Sequence, residues 1–192
     1  MALIDAVATV VRELARNGHA SCLVGGLAVS SRCDPRFTRD GDLAVVVTDD
    51  AEAERAVAGL VTLGYRVGMI TEQEAADRLA MTRVTDPSGA HIDLLFASSG
   101  IEAEVVAAAE PLEIVPGVRL PTATVGHLIA LKLLSVAPGR ETDAMDLRNL
   151  AAVATDDDWN AAAEAVDLIT ARGFHRNRDL GVDLAALRDS SA

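Results

Sequence analysis

The stretch CLVGGLAVSSRCDPRFTRDGDLAVVV, residues 22–47, restricts the fold more than any other part of the chain. An apolar run ends on Gly25-Gly26, and Leu27 to Arg32 have the composition of two helical turns. Asp34-Pro35 breaks them, and Asp40 and Asp42 then head a second apolar run. Strand, glycine pair, short helix and strand in that order point to a layered α/β arrangement. In a strand, side chains i and i+2 share a face, so Asp40 and Asp42 would point the same way. Two carboxylates so placed repel unless a cation lies between them, and Mg²⁺ typically takes one or two carboxylates together with substrate phosphates. Asp-Gly is also a favoured two-residue hairpin turn, which would leave both aspartates solvated.

The flanking sequence supplies the rest of the layers. Ile4, Val7, Val10, Val11 and Leu14 recur at helical spacing with Gly18 as a stop, which predicts a helix over 3–17. A short strand is expected over 20–24 and a Val-rich one over 42–47. Asp49-Asp50 can cap a helix through Leu63 that Gly64 closes. Residues 65–70 read as a strand and TEQEAADR as a loop or helical turn. Met81 to Thr85 and His91 to Phe96 flank the turn composition DPSG and are predicted to pair antiparallel. Residues 100–109 are Ala-rich and helical, and PLEIV then leads to the Pro-bounded stretch PGVRLP. From Thr122 onward only helices are predicted, over 123–136, 142–154 and 157–173, with a polar tail beyond. The chain therefore divides into an α/β core, residues 1–120, and a helical C-terminal region, residues 121–192.

Composition excludes several classes of function. With 192 residues, half of them hydrophobic, the chain can bury one core without staples. The N-terminus lacks the basic region and apolar core of a signal peptide, and no apolar run can span a bilayer, so a cytoplasmic location without membrane partners is expected. Cys22 and Cys33 form no CxxC pair, and the four histidines lack zinc-ligand spacing. A net charge of −12 argues against wrapping nucleic acid by a broad basic surface, because such binding is driven by Lys and Arg releasing counterions.

Three further features carry chemistry. HIDLLFA places Asp93 alone in an apolar strand, where a buried carboxylate needs either a metal or a basic partner. Gly25-Gly26 let the backbone approach a ligand closely, and the amides opening the following helix suit an anion such as triphosphate; a plain turn is the alternative. Of the 17 basic residues only Lys132 is lysine, and it lies in an apolar helix where it must snorkel or pair with an acid unless it has a ligand.

Val24-Gly25-Gly26, thirteen intervening residues, Asp40-Gly41-Asp42-Leu43 and the later Asp93 together resemble the signature of the polymerase-beta-like nucleotidyltransferase superfamily. That signature is hG[GS], then Dh[DE]h, then a further acid. Gly41 stands where it has an apolar residue, which leaves a hole beneath the site. GGLAVSSR and PRFTRDGDL are similar to the GGxAxxxR and RxTxDxDL segments of AbiEii-like nucleotidyltransferase toxins, including the mycobacterial MenT group. The matching positions are Gly25, Gly26, Ala28, Arg32, Arg36, Thr38, Asp40, Asp42 and Leu43. Lys132, Arg140, Asp143, Asp146 and Leu147 continue the likeness, with Thr142 at an often basic position, and it spans residues 20–155.

The resemblance implies a polymerase-beta-like α/β core with a mixed sheet, followed by a C-terminal helical region that completes the cleft. It implies transfer of NMP from an NTP to an acceptor hydroxyl, with pyrophosphate released. On it, Asp40, Asp42 and Asp93 bind Mg²⁺ or Mn²⁺ and, with Lys132 and Asp146, form the catalytic set. Gly25, Gly26, Arg36, Thr38, Lys132 and Arg140 would hold the nucleotide, Lys132 meeting phosphate or Asp146. The implied acceptor is RNA, at the 3′ end of tRNA, so that translation stops in a toxin–antitoxin system. The implied partner is a cognate antitoxin, with Thr38 as a regulatory phosphorylation site. An aminoglycoside-like small-molecule acceptor, favoured by the low basicity, and a non-catalytic nucleotide-binding or antitoxin-like relative are the alternatives.

Overall fold

The computed structural model describes residues 2–73, 76–137 and 141–191. In chain order the elements are α1 (Ala2–Arg16), β1 (Ser21–Val24), α2 (Gly25–Arg32), β2 (Asp40–Val45), α3 (Asp50–Val61), β3 (Arg66–Gln73), β4 (Arg78–Thr85) and β5 (His91–Leu95). They continue with α4 (Glu102–Ala107), β6 (Glu110–Val115), β7 (Val118–Thr122), α5 (Val125–Ser135), α6 (Glu141–Val153), α7 (Asp156–Ala171) and α8 (Leu180–Asp189). The strands form one seven-stranded sheet in the order β3, β4, β5, β2, β1, β7, β6. It is mixed: β2 runs parallel to β5 and β1 to β7, while the other neighbours are antiparallel.

The helices form where apolar spacing and caps coincide. α1 buries Val7, Val10 and Leu14 against the sheet, and Gly18, at φ 83, ends the segment in a conformation that suits glycine. α3 starts on Asp49, whose carboxylate accepts from the Glu52 amide, and α7 on a Thr155–Asp158 capping box. α5 is apolar almost all round, and it packs against α7, α6 and α2, which places Lys132 inside the structure. No helix among the described residues is long and apolar enough to cross a membrane.

Several points left open or read otherwise in the sequence take a definite form. Asp40-Gly41-Asp42 is no hairpin turn, for Gly41 lies within β2 and pairs with Ile92 of β5. Nor does Gly41 leave a hole: Val7 of α1 fills the place of its missing side chain. The Pro-bounded stretch forms the β6–β7 hairpin, with Pro111 opposite Pro121. These prolines are tolerated because β6 is an edge strand and β7 pairs with β1 only at Leu23 and Thr122. The polar tail carries α8, which buries Leu180 and Leu184 and is capped by Asp179. In TEQEAADR, Thr71 to Gln73 extend β3 and Arg78 opens β4, while residues 74–75 lie outside the described residues.

Candidate active site

The three aspartates converge because of strand register. β2 and β5 align Asp42 with Asp93 and Asp40 with His91. β4 sets Arg83 opposite Asp93, and β1 sets Val24 opposite Asp42. Side chains of aligned residues stand on one face, so Asp42, Asp93 and Arg83 form a row across three strands, with Asp40 one step along. Arg83 grips Asp93 with two hydrogen bonds, Nε to Oδ1 and Nη2 to Oδ2, each 2.7 Å. Its Nη2 also donates to Asp40 Oδ2 at 3.1 Å. Loss of water raises the Asp42 carboxyl to about 6, and the charges of Asp93 and Asp40 add to this. Lys132 and the Gly26 amide, which donates a hydrogen bond, pull the other way.

The glycine pair opens α2 rather than preceding it. Gly25 sits at φ 64, and the Asp42 carboxylate fills the space where its Cβ would be. A Cβ on Gly26 would lie 2.7 Å from Arg36 Nη2 and 3.2 Å from Thr38 Oγ1. Val24 gives α2 no side-chain cap, and of the first amides of the helix that of Gly26 already donates to Asp42, which leaves the others of this turn to meet an anion.

A second polar cluster joins the helices to this end of the sheet. Lys132 Nζ lies 2.7 Å from Asp143 Oδ1 and 2.8 Å from Asp146 Oδ2. Arg36 grips Asp146 from the other side, Nε to Oδ1 at 2.6 Å and Nη2 to Oδ2 at 2.7 Å. Burial opposes the charge on Asp146, but hydrogen bonds from Arg36 and Lys132 outweigh it and hold its carboxyl below the ordinary range. Lys132 thus pairs with acids rather than snorkelling to solvent, and its side chain also borders the cavity that reaches Asp42. Thr38 donates to the Asp40 carbonyl at 3.1 Å, and Arg32 ties α2 to the end of β7 through the Thr122 and Ala123 carbonyls. Arg140 lies outside the described residues.

That cavity, about 540 Å³, runs from Asp42, Asp93 and Lys132 to an apolar wall that includes Leu95, Leu128 and Leu131. Its size is that of a small-ligand cleft. Among the described residues no group of three His, Cys, Asp or Glu side chains is arranged to hold a metal ion. Asp40 and Asp42 nonetheless suit a hard divalent cation: Asp42 has no ion pair among the described residues, and only one Asp40 oxygen is bonded to Arg83. Both oxygens of Asp93 are already engaged by Arg83. Sequence reasoning missed Arg83, although setting Thr85 against His91, the near ends of the expected hairpin, places it opposite Asp93.

The same architecture recurs in solved structures. The antibiotic-resistance factor ANT(2″)-Ia, in solution, superposes with a TM-score of 0.53 at 14% identity, covering 97% of this chain and 89% of that one. The fold is that of the nucleotidyltransferases. ANT(2″)-Ia in complex with adenylyl-2″-tobramycin gives a TM-score of 0.50 at 16% identity over 100% of both chains. An antigenic nucleotidyltransferase-like protein from Paracoccidioides brasiliensis gives 0.50 at 17% identity, over 96% of this chain and 92% of its own. No protein-family profile matches the sequence, and no curated protein is detectably similar to it. The likeness to this nucleotidyltransferase fold therefore rests on three-dimensional structure.

Proposed function

We propose that the chain is a nucleotidyltransferase that moves NMP from an NTP to an acceptor hydroxyl. The observation that carries this reading is the seating of Asp42 against Gly25, beside Asp40 and Asp93, where α2 begins and the cavity opens. The acceptor oxygen forms a bond to the α-phosphorus as the bond to pyrophosphate breaks, and the hydroxyl proton is left to the carboxylate cluster. Mg²⁺ or Mn²⁺ held by Asp40 and Asp42 would neutralise charge on the phosphate oxygens. The first-turn amides of α2 other than that of Gly26, which Asp42 holds, suit the triphosphate. Lys132, Asp146 and Arg36 hold α5, α6 and the loop after α2 against the site, with Lys132 lining the acceptor cavity.

A small polar molecule is the acceptor that the geometry supports best. The cavity has the volume of such a ligand, its lining includes the acids Glu72, Asp42 and Asp93, and the chain is acidic by 12 charges. ANT(2″)-Ia, which shares the fold, has been captured with an adenylylated tobramycin. The second reading is a toxin that modifies the 3′ end of tRNA and is silenced by an antitoxin through phosphate on Thr38. The contacts of Asp146 with Arg36 and Lys132, and of Thr38 with the Asp40 carbonyl, support it. Incubation with each α-labelled NTP, Mg²⁺ and either an amino-sugar panel or total tRNA separates the two. Label on a small molecule supports the first reading, label on RNA the second, and label on neither in any combination removes both.

A further inference from the structure

Among the described residues, Arg83 is the cation in direct contact with the three-aspartate cluster. It is bidentate on Asp93 and reaches Asp40, leaving Asp42 without a basic partner in contact. Its position is fixed by the sheet, because Thr82 and Val84 on either side are buried and the β4–β5 register sets it opposite Asp93. The guanidinium itself is not sealed in, since 29% of the Arg83 side chain is exposed against 11% of the Asp93 side chain. The hydrogen bond to Asp40, at 3.1 Å, is longer than either bond to Asp93, at 2.7 Å.

We infer that Arg83 is a positioning residue that reserves Asp93 and competes with the metal for Asp40, so that a divalent cation enters through Asp40 and Asp42 alone. This rests on the reading of those two aspartates as cation ligands. A guanidinium holds a planar carboxylate with a fork of two donors, so Asp93 keeps Arg83 as its partner when the ion arrives. The single bond from Nη2 to Asp40 is the contact the ion displaces. Arg83 also removes one negative charge from the cluster, and cation affinity rises with the charge of the ligand set. The cost is weak binding in the free protein. The gain is that Asp93 stays fixed beside the reacting end of the cavity.

The inference is tested with Mn²⁺ alone, titrated without nucleotide into the full chain, with free Mn²⁺ read by electron paramagnetic resonance. Arg83→Met should bind Mn²⁺ about tenfold more tightly than the original protein, because Asp93 and the second Asp40 oxygen become available. Arg83→Met combined with Asp93→Asn should lose most of that gain. Arg83→Lys, which keeps the charge and is the safer variant for folding, should fall between. Equal or weaker Mn²⁺ binding in Arg83→Met and Arg83→Lys, with folding verified by circular dichroism, overturns the inference, as does the absence of Mn²⁺ binding in every variant. Nucleotidyl transfer is scored separately with labelled NTP, so a failure there is distinguishable from a failure here.

Discussion

The carboxylate of Asp42 occupies the space that a side chain on Gly25 would need, and Gly25 is held at φ 64. The glycine thus serves the acid on the neighbouring strand as well as the turn into α2. Gly25→Ala should displace Asp42, and left-handed backbone at a non-glycine residue adds about 1–2 kcal/mol. Transfer is expected to fall to background, with a lowered midpoint in a urea melt; unchanged activity would show that Asp42 does not need this seat.

Gly41 makes the opposite use of a missing side chain, giving its room to Val7. Placing an apolar side chain there, Gly41→Val, should therefore overpack the α1–β2 contact and cost about 1–3 kcal/mol. Val7→Ala in the same chain should recover part of that loss. A double-mutant cycle of denaturant melts measures the coupling, which is expected to be clearly non-zero.

Asp42 titrates near 6 in the folded chain, above the ordinary 3.8. The fold binds this proton more tightly than the unfolded chain does, so the contribution of Asp42 to stability is most favourable below about pH 4. It is lost as pH rises to about 6, a penalty of at most about 3 kcal/mol. Asp42→Asn removes the penalty and should be more stable than the original protein at pH 7.5 but not at pH 4. Mg²⁺ should raise the thermal midpoint of the original protein at pH 7.5 and leave that of Asp42→Asn unchanged.

Asp146 is fully buried between Arg36 and Lys132. Removing one partner leaves charges that water cannot reach, so Lys132→Ala should cost about 3–5 kcal/mol and strongly reduce transfer. Lys132→Arg should retain more stability than Lys132→Ala in the same melts. If Lys132→Ala melts and transfers like the original protein, this cluster does not support the site.

Much of this site was legible in the sequence because it is built on short, regular elements. The spacing of Gly25-Gly26, Asp40 and Asp42 survives in the fold as a helix start and a strand face, and the DPSG hairpin forms as expected. What escaped depends on context that one residue cannot carry. Pro111 and Pro121 argue against strands unless the sheet edge is known, and the polar face of α8 hides Leu180 and Leu184. Whether Gly41 is a turn or a strand residue is decided by its pairing with Ile92, about fifty positions later, and the room it leaves is taken by Val7, more than thirty positions earlier. Arg83 drew no attention because a lone arginine in an alternating strand is ordinary until its cross-strand partner is identified.

The central claim is that Asp40 and Asp42 carry nucleotidyl transfer. The most direct measurement compares the original protein with Asp40→Ala and Asp42→Ala, using α-labelled NTP, Mg²⁺ and the two acceptor pools. The account predicts label transfer with pyrophosphate release in the original protein and loss to background in both variants, whose circular dichroism spectra stay native. Transfer persisting undiminished in either variant, or no transfer from any NTP to either pool by the original protein, would contradict it.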